Sequence, residues 1–254
     1  SVKHPKYPEN VRELEKIRSL AKVQLEAYID TWQWARKYTP SYYESIFEES
    51  VKSRDAVFNI LKQVGVLKEG MRIIDCGCAL GNWGFEAREK FGISYTGLDF
   101  GVPVHKLHIP HSQYIEHDLR KPAVDEHFAK YDLALCLETI EHIDHQYSDV
   151  VLDTLCLLSD NILFSGAIPC QGGIDHVNEQ WQSFWANKFQ ERGYFANDLR
   201  KRFLQEDDIA IWYQANTILY SKAIMWPKSF SLGQMDFVHP QLYMNLMKHY
   251  RILK

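Results

Sequence analysis

Apolar residues recur at three- and four-residue steps from residue 8 to residue 38: Val11, Leu14, Ile17, Leu20, Ala21, Leu25, Ile29 and Trp32. That period predicts a first amphipathic helix, and Pro40 closes it because a proline pushes its predecessor out of the helical region. A second helix is expected from about Tyr42 to Val64, with Phe47, Val51, Val57 and Leu61 on one face and Gly65 as its stop. Beyond residue 70 the period shortens. Apolar runs at 71–76, 94–99, about 113–116 and 131–137 read as strands, with a helix at 81–91 between the first two. A helix at about 147–158 and a strand Asn161–Ser165 continue the series. Such alternation implies a mostly parallel sheet with helices on both faces.

From Gly166 to Gly193 the pattern is interrupted. A loop, Ile168-Pro-Cys-Gln-Gly-Gly-Ile-Asp-His176, leads into a helix whose Trp181, Phe184, Trp185 and Phe189 have core spacing. Ile209–Gln214 and Thr217–Ser221 read as a closing hairpin, and a last helix follows Pro240. The chain thus divides into a helical extension at 1–65, a core at 66–225 with a substrate-side insertion at 166–207, and a tail at 226–254. The extension could close over a site as a lid, with Trp34, Tyr42 and Tyr43 facing it, or simply pack. The tail's Met, Phe and Tyr residues are either a homodimer contact or internal packing.

At 254 residues and 46% hydrophobic, the chain is long enough for a substantial core and too apolar to be disordered. Its net charge of -4 and lack of basic blocks argue against a dedicated nucleic-acid surface. The opening Ser-Val-Lys-His-Pro does not read as a signal peptide, and no apolar run approaches ~18 residues, so a cytoplasmic protein without a membrane span is expected. Five cysteines without metal-site spacing fit reduced thiols.

The chemistry concentrates at the strand ends. Arg72-Ile-Ile-Asp-Cys-Gly-Cys-Ala-Leu-Gly-Asn-Trp83 is a strand ending in an acid, then a glycine-punctuated turn. Gly77 and Gly81 are expected to leave room for a ligand against the backbone. The second strand ends in Asp99, Asp118 closes the third segment, and the fourth runs into Glu138-Thr-Ile-Glu-His142.

This series resembles the class I S-adenosylmethionine-dependent methyltransferases over roughly residues 65 to 225. Asp75, Gly77, Ala79 and Gly81 match that family's first motif, with alanine as the one departure. The resemblance implies a Rossmann-like α/β fold, a mostly parallel sheet whose last strand is antiparallel. It implies that Gly77–Gly81 underlie the methionine part of S-adenosylmethionine. Asp99, followed by Phe100, would take the ribose hydroxyls; Asp118, with Leu119, would accept from the adenine amino group; the backbone at Leu137 and Glu138 would face the methionine end. The loop lacks the glycine spacing and lysine of dinucleotide and P-loop fingerprints.

Glu138-x-x-Glu141-His142 falls where a methyl acceptor should stand, an oxygen-rich set suited to Mg²⁺ or Mn²⁺. The motif is similar to that of small-RNA 2′-O-methyltransferases, in which a downstream histidine completes a metal site; His176 is the counterpart by topology. Some ubiquinone-pathway O-methyltransferases share the first motif, and both kinds act on neighbouring hydroxyls. Ile168-Pro-Cys-Gln-Gly-Gly…His176-Val-Asn-Glu-Gln-Trp181 and Trp212-Tyr-Gln-Ala-Asn216 look like methyltransferases of polysaccharide and natural-product pathways. Glu138, Glu141, His142 and His176 are therefore the expected ligands, with Glu141, His142 or His176 as the alternative general base and His145 as a spare. The expected activity is metal-assisted O-methylation of a sugar or glycosylated small molecule. An RNA 3′-end ribose methyltransferase, a metal-free N-methyltransferase and a non-catalytic cofactor-binding module stand as alternatives.

Overall fold

The structure, a computed structural model, describes residues 40–123, 129–225 and 235–249. The expected helix at 8–38 and Trp34 lie outside the described residues, as do the side chains of Tyr42 and Tyr43 and residues 226–234 of the tail. The chain divides into units of residues 1–44 and 45–254, and everything below concerns the second.

Strand residues sort by their period of two onto the faces of one sheet. In β1 (Arg72–Cys76), Ile73 packs into one core and Ile74 into the other; in β4 (Leu133–Leu137), Leu133 and Leu135 part from Ala134 and Cys136 in the same way. Both faces are covered, so these strands read as unbroken apolar runs. Helix α1 (Pro40–Gln63) lays Val57, Phe58 and Leu61, all fully buried, on the first face. Helix α3 (Ser148–Leu158) and helix α4 (Gln182–Glu191) cover the second with Val151, Leu152, Leu155, Trp185 and Phe189. Removing any of these side chains costs about 2–5 kcal/mol through lost burial and the cavity left behind.

The sheet has seven strands in the order β3-β2-β1-β4-β5-β7-β6. Strands β2 (Ser94–Asp99), β3 (Tyr114–Glu116), β4 and β5 (Asn161–Ser165) extend β1 in parallel. Strand β7 (Ile218–Ser221) runs antiparallel to both β5 and β6 (Phe195–Asn197), so the expected Rossmann-like sheet with an antiparallel last strand is present. Chain order reverses direction across the sheet between β1 and β4, and ligands of such sheets bind at the strand ends beside that switch point. No helix among the described residues is long and apolar enough to cross a membrane.

Two local expectations fail. The segment read as strand Ile209–Gln214 is instead helix α6 (Ile211–Asn216), and β7 pairs with Phe195–Asn197. A six-residue apolar run has no distinguishing period, and here Gln214 N–H bonds back to the Ala210 carbonyl in helical fashion. The expected helix at 81–91 is broken into a 3₁₀ turn, Asn82–Gly84, and a short helix α2, Ala87–Phe91, with Glu86 in the left-handed region at φ 52°. The cause is tertiary. The carbonyls of Trp83 and Phe85 accept from Nη1 of Arg54, a fully buried arginine on α1, rather than only from helix amides. One further short helix, α5 (Arg200–Phe203), precedes α6, and α7 (Pro240–His249) is the helix expected after Pro240.

Candidate active site

At the carboxyl end of β1 the chain turns sharply through Gly77 (φ 87°), Ala79 (φ 49°) and Gly81 (φ 81°). Protein packing gives these glycines a reason of its own. A Cβ on Gly77 would lie 2.2 Å from the Thr139 side chain, and one on Gly81 would lie 2.8 Å from Ile109. Their missing side chains admit protein: Thr139, just past β4, seats itself on the turn after β1. The left-handed φ independently disfavours any other residue.

Two carboxylates hold this turn. Asp99, half-buried at the end of β2, accepts from the Ala79 N–H at 2.8 Å and the Phe100 N–H at 2.7 Å. Burial raises its pKa to about 6, against the pull of those two amides. Each of its oxygens keeps a lone pair, as a group that takes two hydroxyls must. Asp75 is buried and accepts from the Tyr95 hydroxyl at 2.6 Å. Burial lifts it to about 7, and the Asp99 charge adds to the rise while Tyr95 opposes it. Asp118 is buried beside Leu119 and held by Arg120 through both carboxylate oxygens. Burial alone would raise its pKa, but the Arg120 bonds win and it stays below the usual range.

The residues present fit S-adenosylmethionine. Around the turn, Arg54 Nη2 and Asn82 Oδ1 are buried without a partner, and Trp83 Nε1, near the Tyr213 phenol, makes no bond of good geometry. Buried polar atoms left unsatisfied are costly and call for a partner. Two donors and one acceptor, together with Asp99, complement a ligand carrying carboxylate, ammonium and hydroxyl groups.

The second half of the site follows β4. Leu137 is buried at its end, and Glu138 takes a left-handed φ of 48° that turns the chain into the 3₁₀ segment Ile140–His142. Glu141, His142 and His176 converge: one ligand atom from each lies within 4.8 Å of the others. Glu141 is 1% exposed with Oε2 unpartnered, and its backbone carbonyl accepts from the N–H groups of Val177 and Asn178, which docks the loop carrying His176. The His176 ring lies over Gly173, where a Cβ would come within 2.2 Å of Nε2. Glu179, three residues on, takes His176 Nδ1 at 2.9 Å, which leaves Nε2 outside that bond. A carboxylate on the far nitrogen is how proteins fix the tautomer and aim of a ligating histidine. Burial, then the neighbouring His176, depresses His142 to about 4, so its ring is neutral at physiological pH.

Glu138 is not in that trio. Its carboxylate accepts from Gln171 Nε2 at 2.9 Å and Asn216 Nδ2 at 3.3 Å, and it stands against Glu141. Burial raises both pKa values; at Glu141 the Glu138 charge raises it further. His145 is exposed and lies beside Phe184, outside the cluster. The structure thus brings together three of the four expected ligands, with the fourth adjacent. Sequence reasoning assigned no role to Gln171, Asn216 or Glu179, although all three lie in quoted motifs. It also passed over Tyr95 and Arg54. Only Glu179 carried a local signal, a carboxylate one helical step from a histidine.

Strand order, the glycine turn after β1 and an acid ending β2 define a class I S-adenosylmethionine-dependent methyltransferase. Residues 51–214 match the methyltransferase domain family, and the chain belongs to that family. Among curated proteins, it is 36% identical over 88 residues to the ubiquinone biosynthesis O-methyltransferases of Salmonella enteritidis and Escherichia coli K12. That match takes in 32% of this chain and spans about a third, 36%, of those relatives' length. Two solved structures share the fold. Synechocystis magnesium protoporphyrin IX methyltransferase with bound S-adenosylmethionine superposes with a TM-score of 0.52 at 15% identity, covering 77% of this chain and 91% of that one. An O-methyltransferase family protein from Burkholderia thailandensis gives 0.51 at 11% identity, covering 74% and 61%.

Proposed function

We propose that the chain is a cytoplasmic, Mg²⁺- or Mn²⁺-assisted O-methyltransferase that acts on one of two adjacent hydroxyls of a sugar or glycosylated small molecule. The observation that carries this reading is the Glu141–His142–His176 cluster beside the switch point, with His176 aimed by Glu179. Two carboxyl groups in contact, Glu138 and Glu141, need a proton or a cation between them, and the two imidazoles that converge on Glu141 favour the cation.

On the cofactor side, Asp99 accepts the ribose hydroxyls, Asp118 and Leu119 border the adenine, and the backbone at Leu137 faces the methionine end. Arg54 and Trp83 donate to the methionine carboxylate while Asn82 Oδ1 accepts from its ammonium. Bound there, S-adenosylmethionine supplies an already activated methyl group. Glu141, His142 and His176 would hold a divalent ion, which would supply Lewis acidity toward a hydroxyl that is otherwise almost un-ionised at neutral pH. What remains for the protein is alignment and proton removal. Thr139 fixes the distance between the two halves by sitting on Gly77. Glu141 keeps one oxygen without a protein partner, and that oxygen would hold the ion. His142 and His176 hold the acceptor's place.

The test is methyl transfer to a panel of vicinal-diol sugars and their monodeoxy counterparts, with Mg²⁺, with Mn²⁺ and with EDTA; a short RNA end and simple amines complete the panel. Transfer to diols that EDTA abolishes is the expected result. Full transfer in EDTA, or a preference for amines, overturns the reading.

A further inference from the structure

Two of the motifs that lie far apart in the sequence end on the same carboxylate. Gln171 belongs to the loop after β5, and Asn216 closes α6, yet both direct side-chain amides at Glu138. Neither amide is free to turn. Gln171 Oε1 accepts from Asn216 Nδ2 at 2.8 Å and from the Ile168 N–H at 3.3 Å, so its Nε2 must face Glu138. Asn216, 2% exposed, has its Oδ1 taken by Gln182 Nε2 at 3.3 Å, so its Nδ2 must face Glu138 and Gln171. Gln182 is anchored in turn, exchanging bonds with the Phe237 carbonyl (2.8 Å) and N–H (3.2 Å). The Glu138 backbone N–H is held from the other side by Ser165 Oγ at 3.0 Å.

An amide flip anywhere along this chain would set donor against donor or acceptor against acceptor, so each link fixes the sense of the next. The result is a carboxylate presented two fixed N–H groups, with the Ser165 hydroxyl and the Glu141 carboxyl beside it. Amide donors favour the ionised form without neutralising it, which a lysine or arginine would do.

We propose that Gln171 and Asn216 are positioning residues: they hold the Glu138 carboxylate as the fourth wall of the cation site formed by Glu141, His142 and His176. The inference rests on the metal-assisted reading above and deepens it. It also gives the Ile168–Trp181 and Trp212–Asn216 motifs a common purpose. Through Gln182 the same chain ties the docking of residues 235–237 to the site.

The test is Mn²⁺ affinity, by calorimetry on protein saturated with S-adenosylhomocysteine, with thermal melting alongside. Gln171→Ala and Asn216→Ala should each weaken Mn²⁺ binding 10- to 100-fold, on the order found for outer partners of metal ligands, while the affinity for S-adenosylhomocysteine stays unchanged. The decisive variant exchanges the partners, Glu138→Gln with Gln171→Glu. Every hydrogen bond of the chain survives in that double variant, but the charge moves one link away. Recovered melting temperature without recovered Mn²⁺ affinity supports the proposal. Recovery of both means that the network only braces the fold, and overturns it. Unchanged Mn²⁺ affinity in the single variants also overturns it, with the metal reading intact; a parent protein that binds no Mn²⁺ removes both.

Discussion

The two halves of the site are built by opposite means. After β1 and β2, most working groups come from the single stretch Asp75–Asp99 and are set mostly by backbone: left-handed turns, N–H groups on Asp99, a helix that breaks at Glu86. After β4 and β5, side chains from three separated segments converge, and side chains do the holding: Glu179 on His176, Gln171 and Asn216 on Glu138. The first half leaves buried polar atoms without partners, at Arg54, Asn82 and Trp83; the second leaves one, Glu141 Oε2, at the centre of a cluster of ligating atoms. The cofactor pocket is thus shaped by main chain, whereas the proposed cation site is assembled by side-chain bonding. Thr139 joins them, because it belongs to the second half and fills the space that Gly77 leaves in the first.

The comparison breaks most completely at that joint. Gly77→Ala combines a left-handed φ with a Cβ driven into Thr139, which costs roughly 3 kcal/mol and should abolish cofactor binding as well as lower the melting temperature. Adding Thr139→Gly should return part of the stability, since the clash goes and the backbone strain stays. A melting temperature unmoved by Gly77→Ala would mean the turn is not seated as described.

A smaller effect should separate the halves. Glu179→Gln leaves a hydrogen-bond acceptor on His176 but removes the charge that favours Nδ1–H, and should weaken Mn²⁺ binding about 10- to 100-fold without altering S-adenosylhomocysteine affinity. Equal losses for both ligands, measured in parallel titrations, would show that the halves are not independent.

The smallest effect concerns Asp75. Its carboxyl titrates near 7 in the fold against an ordinary value of 3.8, so the native state holds more protons than the unfolded chain across that window. The stability linked to this group is complete below 3.8 and is lost as pH rises through 7. Asp75→Asn keeps an acceptor for Tyr95 and has no such loss. The cofactor-free variant should melt at about the parent's temperature near pH 4 and several degrees above it at pH 8; parallel curves across that range would contradict the assignment.

Much of the first half was legible from sequence because its causes are local. An acid ending a strand and glycines at fixed offsets announce a turn whatever surrounds it. The sheet was legible for the same reason, since Ile73–Ile74 and Leu133–Cys136 alternate between two buried faces. Ile209–Gln214 was not, because a short apolar run fits helix and strand alike, and its state was decided by what α6 packs against. The helix at 81–91 failed because Arg54, some thirty residues upstream, takes the carbonyls of Trp83 and Phe85. In the second half, the residue types were visible but not their division of labour. Nothing in Gln171 or Asn216 as sequence positions says that both amides end on Glu138.

The central claim, that the side-chain-built half is a cation site, is tested most directly by titrating Mg²⁺ and Mn²⁺ calorimetrically into protein saturated with S-adenosylhomocysteine, beside His176→Ala. The account predicts stoichiometric binding in the parent, at least tenfold weaker in the variant, with no change in its hold on S-adenosylhomocysteine. Binding of equal strength in both proteins, or none in the parent, would contradict it.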